Sequence, residues 1–339
     1  MKYNFLGTTG MKVSELCLGT MTFGGSNTGI WSNIGQLEQQ EVDKIIKRSV
    51  DAGINFIDTA NVYSQGLSEE LTGNAIRNLG LKRDDLVIAT KVRGKMGEGV
   101  NEIGLSRKHI MQQVDESLKR LNIDYIDLYQ IHGYDALTPI EETVRVLDDL
   151  VRSGKVRYIG CSNITAWQLM KALAFSHNHN LAKFVSLQAY YTIAGRDLER
   201  ELIPLLNDQK VGLMVWSPLA GGFLSGKYSR NKNPEDARRV NFDFPPINKE
   251  KAFDIIDVME PIAQSKNVSV AQVALAWLLR QPAVTTVIIG AKKMEQLEDN
   301  LKAVEVIFTE EELKKLDEVS KLTPEYPGWM LARQGGDRK

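Results

Sequence analysis

Residues 53–63 read Gly53-Ile54-Asn55-Phe56-Ile57-Asp58-Thr59-Ala60-Asn61-Val62-Tyr63, an apolar run that stops at an acid and reaches a phenol five residues later. Two later stretches repeat the form. Leu86-Val87-Ile88-Ala89-Thr90 leads into Lys91, and Tyr125-Ile126-Asp127-Leu128-Tyr129-Gln130-Ile131 leads into His132. Short apolar runs of this kind read as strands buried on both faces. An acid, a phenol, an amine and an imidazole therefore stand at or just past the ends of three consecutive predicted strands.

The same rhythm covers the chain. Strands are expected at residues 15–19, 54–58, 86–91, 125–132, 156–161, 184–188, 212–216 and 286–289, with helical spacing between them at 41–52, 106–121, 139–153 and 197–208. Ser106 and Thr138 read as residues preceding helices, with Pro139 at a first helical position. Gly53, Gly154 and Gly212 read as left-handed residues following helices. Strict alternation implies a parallel sheet, either doubly wound or closed. The closed form is preferred, because no linker divides the chain and the chemical residues come from many different strand ends. In a β/α barrel those ends converge on one face. Residues 2–6 and 11–14 flank a Gly-bearing turn and read as a hairpin. Helices near 249–266 and 310–321 are surplus to the alternation. The expectation is a (β/α)8 TIM barrel with an N-terminal β-hairpin and two extra helices, occupying residues 1–323. Residues 324–339 form a tail, partly lining the pocket and disordered at its end. Stretches 21–37 and 218–248 read as long loops of the lid or binding kind.

Composition excludes several classes. With 42 basic and 43 acidic residues, a net charge of −1 argues against nucleic acid or an anionic membrane as partner. The first residues lack a signal peptide's apolar core, and no run approaches the roughly 18 residues of a membrane span. Cys17 and Cys161 sit in apolar runs and read as small buried packing residues, so a reduced, cytoplasmic protein is expected. A metal-dependent hydrolase using Asp58 and His132 is disfavoured. The four histidines, His109, His132, His177 and His179, lack the spacing of a metal cluster, and no metal is expected.

Asp58, Tyr63, Lys91 and His132, in this order and context, resemble the catalytic tetrad of the aldo-keto reductases. The segment from Gly53 to Tyr63, followed by Gly66, Ser68 and Glu69, is similar to the group containing aryl-alcohol dehydrogenases and potassium-channel β-subunits. Residues 121–132 and 154–163 look like further family signatures. The resemblance implies reduction of aldehydes or ketones by hydride transfer from NADP(H). Tyr63 would donate the proton, Lys91 would lower the phenol's pKa, Asp58 would hold Lys91, and His132 would orient the carbonyl.

A Gly-x-Gly-x-x-Gly fingerprint is absent. The resemblance instead implies an extended dinucleotide across the barrel mouth. Ser162, Asn163 and Gln188 match positions that hold the nicotinamide carboxamide, and Gly19, Thr20 and Asp58 are further cofactor-binding candidates. Trp216, Ser217, Leu219, Gly221 and Lys227 match the pyrophosphate side, with Trp216 standing where the family often has Tyr. Gly290, Lys292, Gln296, Asp299 and Asn300 match the adenosine end, where lysines at a helix N-terminus suit a 2′-phosphate and favour NADPH. Phe23, Trp31, Tyr134 and Trp329, with Tyr63 and His132, are candidates for an apolar or aryl substrate pocket. An NADPH-binding, redox-sensing subunit with slow turnover is the alternative, since fold likeness does not fix function. Oligomeric state is not legible.

Overall fold

The computed structural model describes residues 1–25, 31–231, 234 and 238–336. Its centre is a closed barrel of eight parallel strands: β3 (Leu16–Gly19), β4 (Phe56–Asp58), β5 (Val87–Val92), β6 (Ile126–Ile131), β7 (Val156–Ser162), β8 (Phe184–Tyr190), β9 (Gly212–Trp216) and β10 (Val284–Ile289). The strands run in chain order, and β10 pairs with β3 to close the ring. All eight expected strands are present.

Two apolar clusters divide along the pleat, because successive strand residues face opposite sides. Cys17, Phe56, Val87, Ala89, Leu128, Met214 and Ile288 pack together in an inner cluster. Leu18, Ile57, Ile88, Tyr129, Ile159, Leu187, Leu213 and Val287 join the larger cluster shared with the helices. Both cysteines are buried free thiols.

The hairpin of β1 (Tyr3–Phe5) and β2 (Lys12–Ser14) sends Leu6 and Val13 into the inner cluster. It closes the end of the barrel where strands begin. The approach is tight: at Gly7, which has φ 58°, a Cβ would lie 2.3 Å from Val185 O. The extra helices are Lys249–Lys266 and Glu310–Ser320, and the former precedes Val270–Leu279.

Local differences from the sequence reading have physical causes. Ser106 caps the helix Arg107–Leu121 by accepting from His109 N. Thr138 does not cap; its hydroxyl donates to Asp135, and Pro139 takes the cap position before Ile140–Arg152. Gly53 and Gly154 are left-handed, at φ 91° and 78°. Gly212 is not: Lys210 is the left-handed residue, and Gly212 opens β9, where a Cβ would stand 2.9 Å from Gly7 N. The expected helix at 197–208 splits into a 3-10 turn, Asp197–Glu199, and a helix, Leu202–Gln209. Pro204 lacks an N–H and fits only a first helical turn, which sets that start. In the tail an exposed helix spans Gly328–Gly336, so residues 334–336 of the end expected to be disordered (334–339) are helical, and 337–339 lie outside the described residues.

Candidate active site

The inward positions at the strand ends change from apolar to polar. Asp58 ends β4, Lys91 lies near the end of β5, Gln130 of β6, Ser162 ends β7, and Gln188 lies near the end of β8. Lys91 is fully buried and donates to Asp58 Oδ2 (2.5 Å), Thr59 O (2.8 Å) and the Tyr63 hydroxyl (3.2 Å). That satisfies all three ammonium protons. The other Asp58 oxygen accepts from Gln130 Nε2 (2.9 Å) and Gln188 Nε2 (3.0 Å). The buried charge pair is thus both matched and hydrogen-bonded, as a buried charge must be.

Tyr63 follows β4 on a short turn and stands edge-on to two rings. Trp31 lies 5.7 Å away and His132 5.6 Å, centroid to centroid. Burial is the largest influence on the phenol and raises its pKa; the Lys91 charge pulls the other way but does not win. The expectation that Lys91 lowers the phenol is met in the sign of its influence and reversed in the net result, because burial outweighs the ammonium and the Asp58 charge adds to the rise. Lys91 itself lies above its ordinary value: burial opposes its charge, and Asp58 and Tyr63 together outweigh burial. His132 is pushed down to about 3 by burial first, then by the charges of Lys91 and Arg93. It is neutral at physiological pH and carries one ring N–H to donate.

Around this centre the other expected residues separate. Thr20 and Gly19 lie beside Asp58: Thr20 N donates to Asp58 O (3.0 Å), and Gly19 pairs with Asp58 across β3 and β4. Asn163, left-handed at φ 49°, donates from its side chain to His132 O and Ser162 Oγ, both at 3.0 Å. Trp216 lies between Tyr190 and Phe244, stacked on Phe244 at 5.9 Å with planes 9° apart. Its buried indole N–H has no partner. Ser217 and the three residues Ala220, Gly221 and Gly222 are left-handed, and Ser217 Oγ accepts from Gly221 N (3.0 Å). Leu219 is partly buried, and Lys227 is exposed. Lys292 N donates to the Gln296 side chain (2.9 Å) just before the helix Met294–Leu301, whose cap position has no side-chain hydrogen bond. Asn300 Nδ2 reaches Gly290 O at 3.4 Å. Asp299 is committed elsewhere, accepting from Ser269 and Gln272.

Of the pocket candidates, Trp31 stands against Tyr63, and Tyr134 N donates to Asn163 O near His132. Phe23 is fully buried in the core, and Trp329 packs on Tyr326 on the exposed tail helix. Sequence reading passed over Gln130, Tyr190 and Phe244. Gln130 was findable: it sits two residues beyond inward-facing Leu128, so the pleat alone turns it inward. Among the described residues no cluster of three or more His, Cys, Asp or Glu could hold a metal, and no helix is long and apolar enough to cross a membrane.

The profile of the aldo/keto reductase family matches residues 15–321. A probable voltage-gated potassium channel subunit β of Arabidopsis thaliana is 38% identical, covering 96% of this chain and 99% of its own. A putative aryl-alcohol dehydrogenase of Schizosaccharomyces pombe is 39% identical, covering 93% and 95%. A versiconal hemiacetal acetate reductase of Aspergillus parasiticus is 36% identical, covering 94% and 96%. With a closed eight-stranded barrel beneath these matches, the chain belongs to the aldo/keto reductase family.

Proposed function

We propose that the protein is an NADP(H)-dependent reductase of small aldehydes or ketones with Tyr63 as proton donor. The observation that carries this reading is the buried chain from Asp58 through Lys91 to the Tyr63 hydroxyl, opening beside the neutral ring of His132. NADPH, when bound, supplies the hydride. The chain's own residues do the rest. His132 donates a hydrogen bond to the carbonyl oxygen and fixes its direction. Tyr63 delivers a proton to the developing alkoxide. Lys91 stabilises the phenolate left behind, and Asp58 keeps Lys91 charged and in place.

The mouth of the barrel fits a dinucleotide. The unpartnered Trp216 N–H, the run of left-handed residues at 220–222 with open space around the Gly222 Cα, and the uncapped helix start beside Lys292 offer a hydrogen-bond donor, a close backbone approach and an anion site. Ser162, Asn163 and Gln188 would hold the nicotinamide end, and Gly19 and Thr20, beside Asp58, would contribute to holding the cofactor. Ser217, Leu219, Gly221 and Lys227 would hold the pyrophosphate, and Gly290, Lys292, Gln296 and Asn300 the adenosine. Asp299 would join them only by leaving Ser269 and Gln272. Trp31 and Tyr134 would contact an apolar or aryl substrate.

Titration with NADPH and NADH, followed by tryptophan quenching, tests the cofactor assignment. Tight NADPH binding and weak NADH binding are expected, with the preference lost in Lys292→Ala. A folded protein binding neither nucleotide would overturn the reading. The relatives named as channel subunits motivate a second reading, a slowly turning NADPH-bound sensor. Its signature is very slow cofactor release together with a stable membrane-protein partner.

A further inference from the structure

Tyr63 is carried by a backbone that its own residues do not favour. Ser64, Gln65 and Gly66 are left-handed in succession, at φ 48°, 56° and 97°. Non-glycine residues in that region cost of order 1 kcal/mol or more each, and they persist only where surroundings over-determine them. The surroundings here are specific. Arg120, from the end of the helix Arg107–Leu121, lies against Gly66, where a Cβ would meet its Cδ at 2.7 Å. The same guanidinium donates from Nε to Glu69 Oε2 (2.6 Å), and the Glu69 side chain is fully buried. Glu69 Oε1 accepts from Thr90 Oγ1 (2.5 Å), and Thr90 directly precedes Lys91. Ser68, also fully buried, donates to Thr20 O (2.8 Å) and meets Thr59 Oγ1 (3.2 Å). The first turn of the helix Leu67–Asn78 is therefore pinned to the ends of β3, β4 and β5, the strands that bring Asp58 and Lys91.

We infer that Ser68, Glu69 and Arg120 form a brace that holds the strained 64–66 turn and so sets the Tyr63 hydroxyl against Lys91. None of the three touches the reacting atoms; they are positioning residues. Their effect on turnover rests on the reading of Tyr63 as proton donor, whereas their effect on the phenol itself does not.

The test uses full-length wild type, Ser68→Ala, Thr90→Val and Glu69→Gln. Two quantities are read. One is the titration of the Tyr63 phenol without cofactor, as the ultraviolet difference between each protein and its Tyr63→Phe counterpart. The other is kcat and KM for aldehydes with NADPH. Loosening the brace opens the turn, so the phenol titration is expected to fall toward the ordinary tyrosine value. The kcat is expected to fall about tenfold to a hundredfold, as misplacement near 1 Å does, with KM for NADPH unchanged. Wild-type titration and kcat in folded Thr90→Val and Glu69→Gln would overturn the brace. If Glu69→Gln does not fold, Thr90→Val and Ser68→Ala decide, since both leave the ion pair intact. If wild type reduces no carbonyl, the proton-donor reading fails while the phenol titration still decides the brace.

Discussion

The Asp58 carboxylate accepts three hydrogen bonds inside the barrel, from Lys91, Gln130 and Gln188. Removing Lys91 would leave that carboxylate buried without its counter-charge. Lys91→Met is therefore expected to cost about 3–5 kcal/mol of stability, as breaking a buried pair does. Urea denaturation measures it, and a change within error would mean that Asp58 is not held as an ion. His132 gives a pH test. Its folded value, about 3, lies below the ordinary 6.5, so the neutral ring stabilises the fold fully above 6.5. That contribution is lost as pH falls from 6.5 toward 3. His132→Asn should flatten this part of the stability profile; an unchanged slope would show that other groups carry it. At this scale Asp58, Tyr63, Lys91 and His132 were legible as a group because each stands at or past the end of a strand run with a different chemistry. Phe244 and Tyr190 were not, since nothing local marks a ring that becomes important only by packing on Trp216, brought from another strand.

Among the elements, strand positions were readable because strands buried on both faces are near-continuous apolar runs. Helix ends were less so. Thr138 and Pro139 satisfy a local capping pattern, but Asp135, three residues earlier, captures the Thr138 hydroxyl in a competing local turn. Contacts between helices were invisible in one sequence. Gly73 shows why: a Cβ there would lie 2.2 Å from Leu121 O, so the helix Leu67–Asn78 meets the end of Arg107–Leu121 backbone to backbone. Gly73→Ala must separate these helices, which carry Glu69 and Arg120. Overpacking of this kind costs roughly 1–3 kcal/mol, outweighing the gain in helix propensity. A lowered melting midpoint is expected, and a raised one would mean that the contact is loose.

For the molecule as a whole, closure of one end is what leaves the other as the site. The hairpin closes one end through Leu6, which has no exposed surface. Leu6→Ala should cost about 2–5 kcal/mol, the range for a buried leucine, while leaving NADPH affinity unchanged at the opposite face. The mouth was legible as a face, through the tetrad, but not as a surface. Phe23 proved to be core, because a long loop's sequence does not say which of its residues turn inward, and Asp299, on the helix Met294–Leu301, proved to be tied to Ser269 and Gln272 of a neighbouring helix start. At that face the most direct measurement is reduction of an aldehyde panel by NADPH in wild type and Tyr63→Phe, with cofactor affinity measured in parallel. The expected result is loss of nearly all turnover in Tyr63→Phe with NADPH still bound. Undiminished turnover in that variant would contradict Tyr63 as the proton donor.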